Sequence, residues 1–203
     1  MSARTEFNSQ RHYQNFMTSL EKAGQAKNLL IGIAEKLTVP ALTDACKVVL
    51  YDPTFVTQYG SSGKHHSYPG GLAMHTLEVT QFALKMAEML PMADTDVVAT
   101  AAIFHDYTKI KEYAPAAQFG DGGSVRHTNY RKFIRHVAGS HAAFMIAIEG
   151  KRVPEEKVFR IEHAILAHHG SIAAGSPIDM ALIEAYIVHY ADSFSAKFGP
   201  SKG

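Results

Sequence analysis

The sequence has little of three things, and each shortage excludes a class of protein. It contains one cysteine, Cys46, so an internal disulfide framework and any cysteine-held zinc site are ruled out. No stretch reaches 18 consecutive apolar residues, and the N-terminal "MSARTEFNSQRHYQNF" has no apolar signal core. A soluble, cytoplasmic protein without a membrane partner is the expectation. Charge of one sign is also missing. The 20 Lys and Arg residues nearly balance 19 Asp and Glu, leaving a net charge of +1, whereas a general nucleic-acid wrapper would be distinctly basic. Nor is there a glycine-rich phosphate loop, because "GDGGS" lacks the strand-loop-helix context such a loop needs. No Pro/Ser-rich linker divides the chain, and 203 residues at 46% hydrophobic content can bury one substantial core.

Histidine is what the sequence has in excess. Twelve of them make up about 6% of the chain, roughly two to three times ordinary usage, and they are scattered rather than strung together as a tag. Helical periodicity dominates the pattern, and strand alternation is scarce. The spacing predicts helices over 15–37, 41–51 and 72–90, with Pro40, Asp52-Pro53 and Pro91 as stops. "TQYGSSGKHHSYPGG" reads as an exposed loop. Asp94 or Thr95 caps the next helix, and 114–129, with "FGDGGS", reads as a loop or short hairpin. A single helix is predicted over 130–148. Another starts near Pro154 and stops at Gly170, and Ser176-Pro177 opens the last, which runs to about Phe198. The fold class is all-α, and residues 1–39 are expected to form a helical segment packed on the core.

Ligand-type side chains lie inside the apolar stripes of these helices. His75 stands among Leu72, Val79 and Phe82. His105 follows Val98, Ala101 and Ala102 in "AAIFHDYTKI". His141 shares a face with Val137 and Phe144, and His168, with His169 beside it, continues Ile161 and Ile165. Asp192 falls in the stripe of Leu182, Ala185 and His189. A lone histidine on an apolar face is usually a hydrogen-bonded core residue. Five core-directed histidines and two carboxylates in one small domain are another matter, because each buried carboxylate without a partner costs several kcal/mol. One divalent centre of imidazoles and carboxylates satisfies them together.

In order, "HHSYPGGLAMHT", "FHDYTK", "AGSHAAF", "ILAHHGSIAAGSP" and "EAYIVHYADSFSAKF" resemble the motifs of HD-domain metal-dependent phosphohydrolases. The likeness is greatest to the catalytic domain of HD-type 3′-to-5′ exoribonucleases, over about residues 40–198. The resemblance implies that 40–203 form an HD-domain helical bundle with a metal centre in its core. It assigns a first ion to His75, His105, Asp106 and Asp192. Asp106 would bridge to a second ion held by His141, His168 and His169. Threonine at 108 replaces a common glycine of the family, and Ser195 stands where a second acidic residue is common.

The cofactor expected is one or two divalent transition metal ions, Mn²⁺ first, with Fe²⁺, Ni²⁺, Co²⁺ or Zn²⁺ as alternatives. Such an ion activates water for attack on phosphorus. The catalytic set is then Asp106, with Lys109 meeting phosphoryl charge and His66 donating to the leaving oxygen. "RHTNYRKFIRH" gathers basic groups around Tyr130, so Lys109, Tyr130, Arg131 and Arg135 are expected to hold substrate. That substrate is a nucleotide or a single-stranded nucleic-acid 3′ end. Motif likeness favours the 3′ end. The short segment ahead of residue 40 favours free nucleotides, as for a (deoxy)nucleoside triphosphate or monophosphate phosphohydrolase. A non-catalytic nucleotide-binding regulator and a di-iron oxygenase with the same helical ligands are the readings from other classes.

Overall fold

The computed structural model describes residues 3–63, 65–114 and 125–199, and these are all-helical. In chain order the helices are α1 Ala3–Ala34, α2 Pro40–Leu50, α3 Gly71–Glu88, α4 Thr95–Phe104, α5 Lys109–Glu112, α6 Asn129–Phe133, α7 His136–Ile148, α8 Glu155–Ala167 and α9 Ile183–Phe198. The only β feature among the described residues is an isolated antiparallel bridge, Tyr113 to His127. No helix among them is long and apolar enough to cross a membrane.

Local chemistry sets the boundaries. Pro40 sits in the first turn of α2, where its missing N–H removes no helical bond. Asp94 caps α4, its carboxylate accepting from the backbone N–H of Asp96 at 2.9 Å and of Val97 at 3.3 Å. Gly70, just before α3, has φ 82°, and a Cβ there would fall 2.6 Å from that of Ala23 on α1. Only glycine lets the two helices meet at this point. α3 packs on α9, α4 and α1, and α4 also packs on α8. One hydrophobic cluster runs through the bundle, joining Ala23, Ala26, Leu30 and Ala34 of α1 to Leu72, Val98, Phe104, Phe144, Ile161 and Val188. Every residue of α4 from Asp96 to Phe104 is buried. The chain therefore reaches His105 and Asp106 in the middle of the protein.

Three elements differ from expectation. The single helix predicted over 130–148 is two: α6 closes on itself, with the N–H of Ile134 and of Arg135 both donating to Tyr130 O at 2.9 and 3.0 Å. Arg135 then adopts φ 65° before α7 begins. The last helix starts at Ile183 rather than at Ser176-Pro177, because the preceding segment is tied down over α8. There His163 Nε2 accepts from the N–H of Ala181 at 2.9 Å and of Leu182 at 3.3 Å. α1 runs over Ala3–Ala34 instead of 15–37. "FGDGGS" lies outside the described residues.

Candidate metal centre

His75 projects from the first turns of α3, and His105 and Asp106 leave the C-terminus of α4. Asp192 comes from α9, and His168 and His169 follow α8. Their ligand atoms form two groups. In the first, His75 Nε2 lies 3.1 Å from Asp192 Oδ1, 3.2 Å from Asp106 Oδ2 and 3.3 Å from His105 Nε2. In the second, His136, His168 and His169 converge, with Nε2 of His136 and of His169 3.1 Å apart. Asp106 faces both: its Oδ2 belongs to the first group, while its Oδ1 is 3.3 Å from His136 Nε2 and 3.9 Å from His168 Nε2.

The imidazoles are oriented from behind. His105 Nδ1–H donates to Ala102 O at 2.7 Å and His168 Nδ1–H to Ile165 O at 2.6 Å. His136 Nδ1–H donates to Glu112 Oε1 at 2.9 Å, and His75 Nδ1–H to Ser195 Oγ at 2.9 Å. Anchoring Nδ1 fixes the tautomer whose Nε2 lone pair points inward, as a metal-ligating histidine requires. Ser195 passes the contact on, its hydroxyl donating to Glu78 Oε2 at 2.8 Å. Although serine stands at 195, a carboxylate still stands behind His75, one bond farther away.

The electrostatics separate the two groups. Burial disfavours a charged His75, but contact with Asp106 and Asp192 outweighs it and lifts the imidazole to about 9. Burial alone would raise the Asp106 carboxyl; Lys109 and the neighbouring imidazoles His105 and His136 hold it well below the carboxylate range. Asp192 is held down against burial by His75. Burial, and then the adjacent imidazoles, push His168 and His169 below the usual range, which favours the neutral imidazoles, and His168 Nε2 has no partner.

This arrangement fits a divalent transition ion. His168 Nε2 and Asp106 Oδ2 are buried and have no hydrogen-bond partner. The 2.5 Å approach of Lys109 Nζ to Asp106 Oδ2 is an ion-pair contact without hydrogen-bond alignment. Buried polar atoms left this way want explaining, and a cation between them would satisfy both. Five imidazoles in seven donors are too nitrogenous for calcium.

Several expected site residues sit elsewhere. His141 is turned away from the centre, and its Nε2 pairs with Glu162 Oε1 at 2.7 Å. Its place is taken by His136, at the start of α7. His66 is buried in a left-handed turn, φ 54°. Its Nε2–H donates to Glu78 Oε2 at 3.0 Å and its Nδ1 accepts from the Tyr68 hydroxyl at 3.2 Å, so neither nitrogen is left for a leaving group. Arg131 is committed to Glu112, with Nη1 to Oε2 at 2.7 Å. Tyr130 turns its hydroxyl inward: a Cβ on Gly139 would meet that oxygen at 2.0 Å. Thr108 is structural, its hydroxyl donating to His136 O at 3.0 Å. Lys109, half-buried, also donates to Gly60 O at 3.0 Å. Among the residues that sequence reasoning missed, Glu112 stands out. Buried, it accepts from the backbone and ring of His136 and from Arg131. The available signal was its place on the continuation of "FHDYTK", two turns beyond Asp106.

The HD domain family model matches residues 72–197. The 3′-5′ exoribonuclease YhaM of Bacillus licheniformis is 29% identical over 147 residues, which are 72% of this chain and 45% of that protein. YhaM of Bacillus subtilis gives the same figures, and that of a Geobacillus strain is 26% identical over 147 residues, 44% of its length. The chain thus spans less than half the length of these curated relatives. No solved structure matches. Both ligand groups fall inside the matched span, and the chain belongs to the HD domain family.

Proposed function

We propose that this chain is a metal-dependent phosphohydrolase that cleaves phosphoester bonds at nucleic-acid 3′ ends. The observation that carries the reading is Asp106, whose two oxygens address two separate groups of imidazole nitrogens. His75, His105, Asp106 and Asp192 would hold one ion; Asp106, His136, His168 and His169 would hold another. Divalent ions there, with Mn²⁺ our choice for a donor set of nitrogens and carboxylates, supply Lewis acidity and an activated water. The chain's own groups do the rest. Burial favours the neutral imidazoles of His168 and His169. Lys109 stays protonated against burial because of Asp106. Held by Asp106 and Gly60, it keeps a donor for an equatorial phosphoryl oxygen, where charge develops in the transition state.

Curated relatives named as 3′-5′ exoribonucleases favour a nucleic-acid 3′ end over a free nucleotide. Metal-reconstituted protein should shorten a 5′-labelled single-stranded RNA stepwise from its 3′ end. Hydrolysis confined to a panel of free nucleotides would redirect the proposal, and nucleotide binding without turnover of any substrate would overturn it in favour of a regulator.

A further inference from the structure

Beside the second ligand group the surface opens into a cleft of about 570 Å³, into which His136 and His169 look. Arg131, Lys132 and Arg135 line one side, and Glu112 is the carboxylate in it. That negative charge is already spent, because Glu112 accepts from both His136 and Arg131. Arg131 is equally spent. Among the described residues, the charges left facing the cleft are those of Lys132 and Arg135, and there the Arg135 side chain makes no hydrogen bond or ion pair.

The backbone of Arg135 points the same way. Its φ 65° and ψ 160° fall in a region that only glycine enters without strain, and such strain in other residues gathers at functional sites. The fold needs this conformation here, since α6 ends with Arg135 N–H on Tyr130 O and α7 begins with Gly139 N–H on Arg135 O. It does not need an arginine. A side chain that strains the backbone, is exposed and touches nothing charged has no structural reason to be there.

Resting on the hydrolase reading above, we propose that this cleft is a subsite for a second phosphate group of the substrate, next to the one being cleaved, and that Arg135 is its principal contact. The guanidinium suits a phosphate because it offers a bidentate donor pair; Lys132 adds charge at the rim. The shared chemistry is a phosphate one step removed from the reacting one. Its source is either an internucleotide phosphodiester or the chain of a nucleoside polyphosphate.

Binding is measured on wild type, Arg135→Gly and Arg135→Lys in chelator, so that nothing turns over, with UMP, the dinucleotide pUpU and UTP as probes. Arg135→Gly should weaken binding of at least one two-phosphate ligand about tenfold or more while leaving UMP within about twofold. It should also melt higher than wild type, because glycine accepts the backbone. Arg135→Lys keeps the charge and should retain most of the affinity. Loss confined to pUpU assigns the subsite to a phosphodiester, and loss confined to UTP to a polyphosphate. Unchanged binding of both, or equal losses on UMP and the larger ligands, overturns the subsite. Turnover is scored separately on wild type with metal and bis-p-nitrophenyl phosphate, which has no second phosphate. If wild type fails to cleave that ester or labelled RNA while the binding pattern holds, the hydrolase reading falls and the subsite stands.

Discussion

Protons and metal ions compete for His75, and the competition can be measured. In the metal-free protein this imidazole titrates near 9 instead of 6.5, raised by Asp106 and Asp192 against the effect of burial. The difference is worth about 3 kcal/mol. A raised folded-state value means that this stability is fully present below about pH 6.5 and is lost as pH climbs through about 9. Asp106 and Asp192 are lowered, so their share is present above about pH 4 and disappears only on further acidification. His168 and His169, pushed below the usual range, lose stability below about pH 6.5. Chelated protein should therefore be most stable near pH 6.5 and then lose about 6–12 °C in Tm by pH 9.5 or so, at 2–4 °C per kcal/mol for a domain of this size. A bound ion takes the neutral imidazole, so binding expels one proton. Apparent affinity should then rise about tenfold per pH unit up to about 9. At metal concentrations near a hundred times Kd the ion adds about 2.7 kcal/mol. The assay is a set of thermal melts in chelator and in Mn²⁺ from pH 6 to 9.5, with calorimetry in two buffers to count released protons. A metal-induced rise in Tm that is equal at pH 7 and 9, with no proton release, would refute the reasoning.

Asp106→Asn and Asp106→Ala should both abolish hydrolysis with the helical fold retained, and each should destabilise the metal-free protein by about 3–5 kcal/mol, because either change takes the counter-charge from the Lys109 ammonium; denaturant melts measure the loss. Lys109→Ala should lower kcat by roughly 10²-fold with little change in KM, and a change in KM alone would remove its transition-state role. Glu112→Gln, by loosening His136, should weaken metal binding about 10- to 100-fold, read by metal titration rather than activity. Ser195→Ala, which removes the acceptor of His75 Nδ1–H, should weaken it about tenfold, and unchanged affinity would show that Ser195 does not position the ligand.

Much of the centre is legible in the sequence because α3, α4 and α9 are regular and deeply packed. His75, His105 and Asp192 are marked by apolar neighbours three and four residues away, and Asp106 follows from the helix that delivers it. The residues that aim them are not legible in this way. Glu78 and Ser195 lie 117 positions apart in the chain and meet only because α3 packs on α9. His66 sits in a loop with no periodicity to place it, so nothing in the chain shows that its two nitrogens are taken.

The exchange of His141 for His136 has a different cause. A helix continued through 130–148 places His141 on the inner face with Val137 and Phe144, and puts His136 in a basic, solvent-facing run. Neither glycine nor proline marks a stop between Phe133 and His136, so the pattern contains no signal for a break. The break exists because Arg135 takes a conformation that only glycine enters freely. It restarts the helix at His136 and changes the direction of everything after it. The first residue of α7 then points at Asp106, and His141 rotates onto Glu162 of α8. One strained residue thus sets both which histidine enters the centre and which cation stands at the mouth of the cleft beside it. Arg135→Gly separates these roles, since glycine preserves the turn and with it His136. Metal affinity should survive that substitution even where binding of a second phosphate does not.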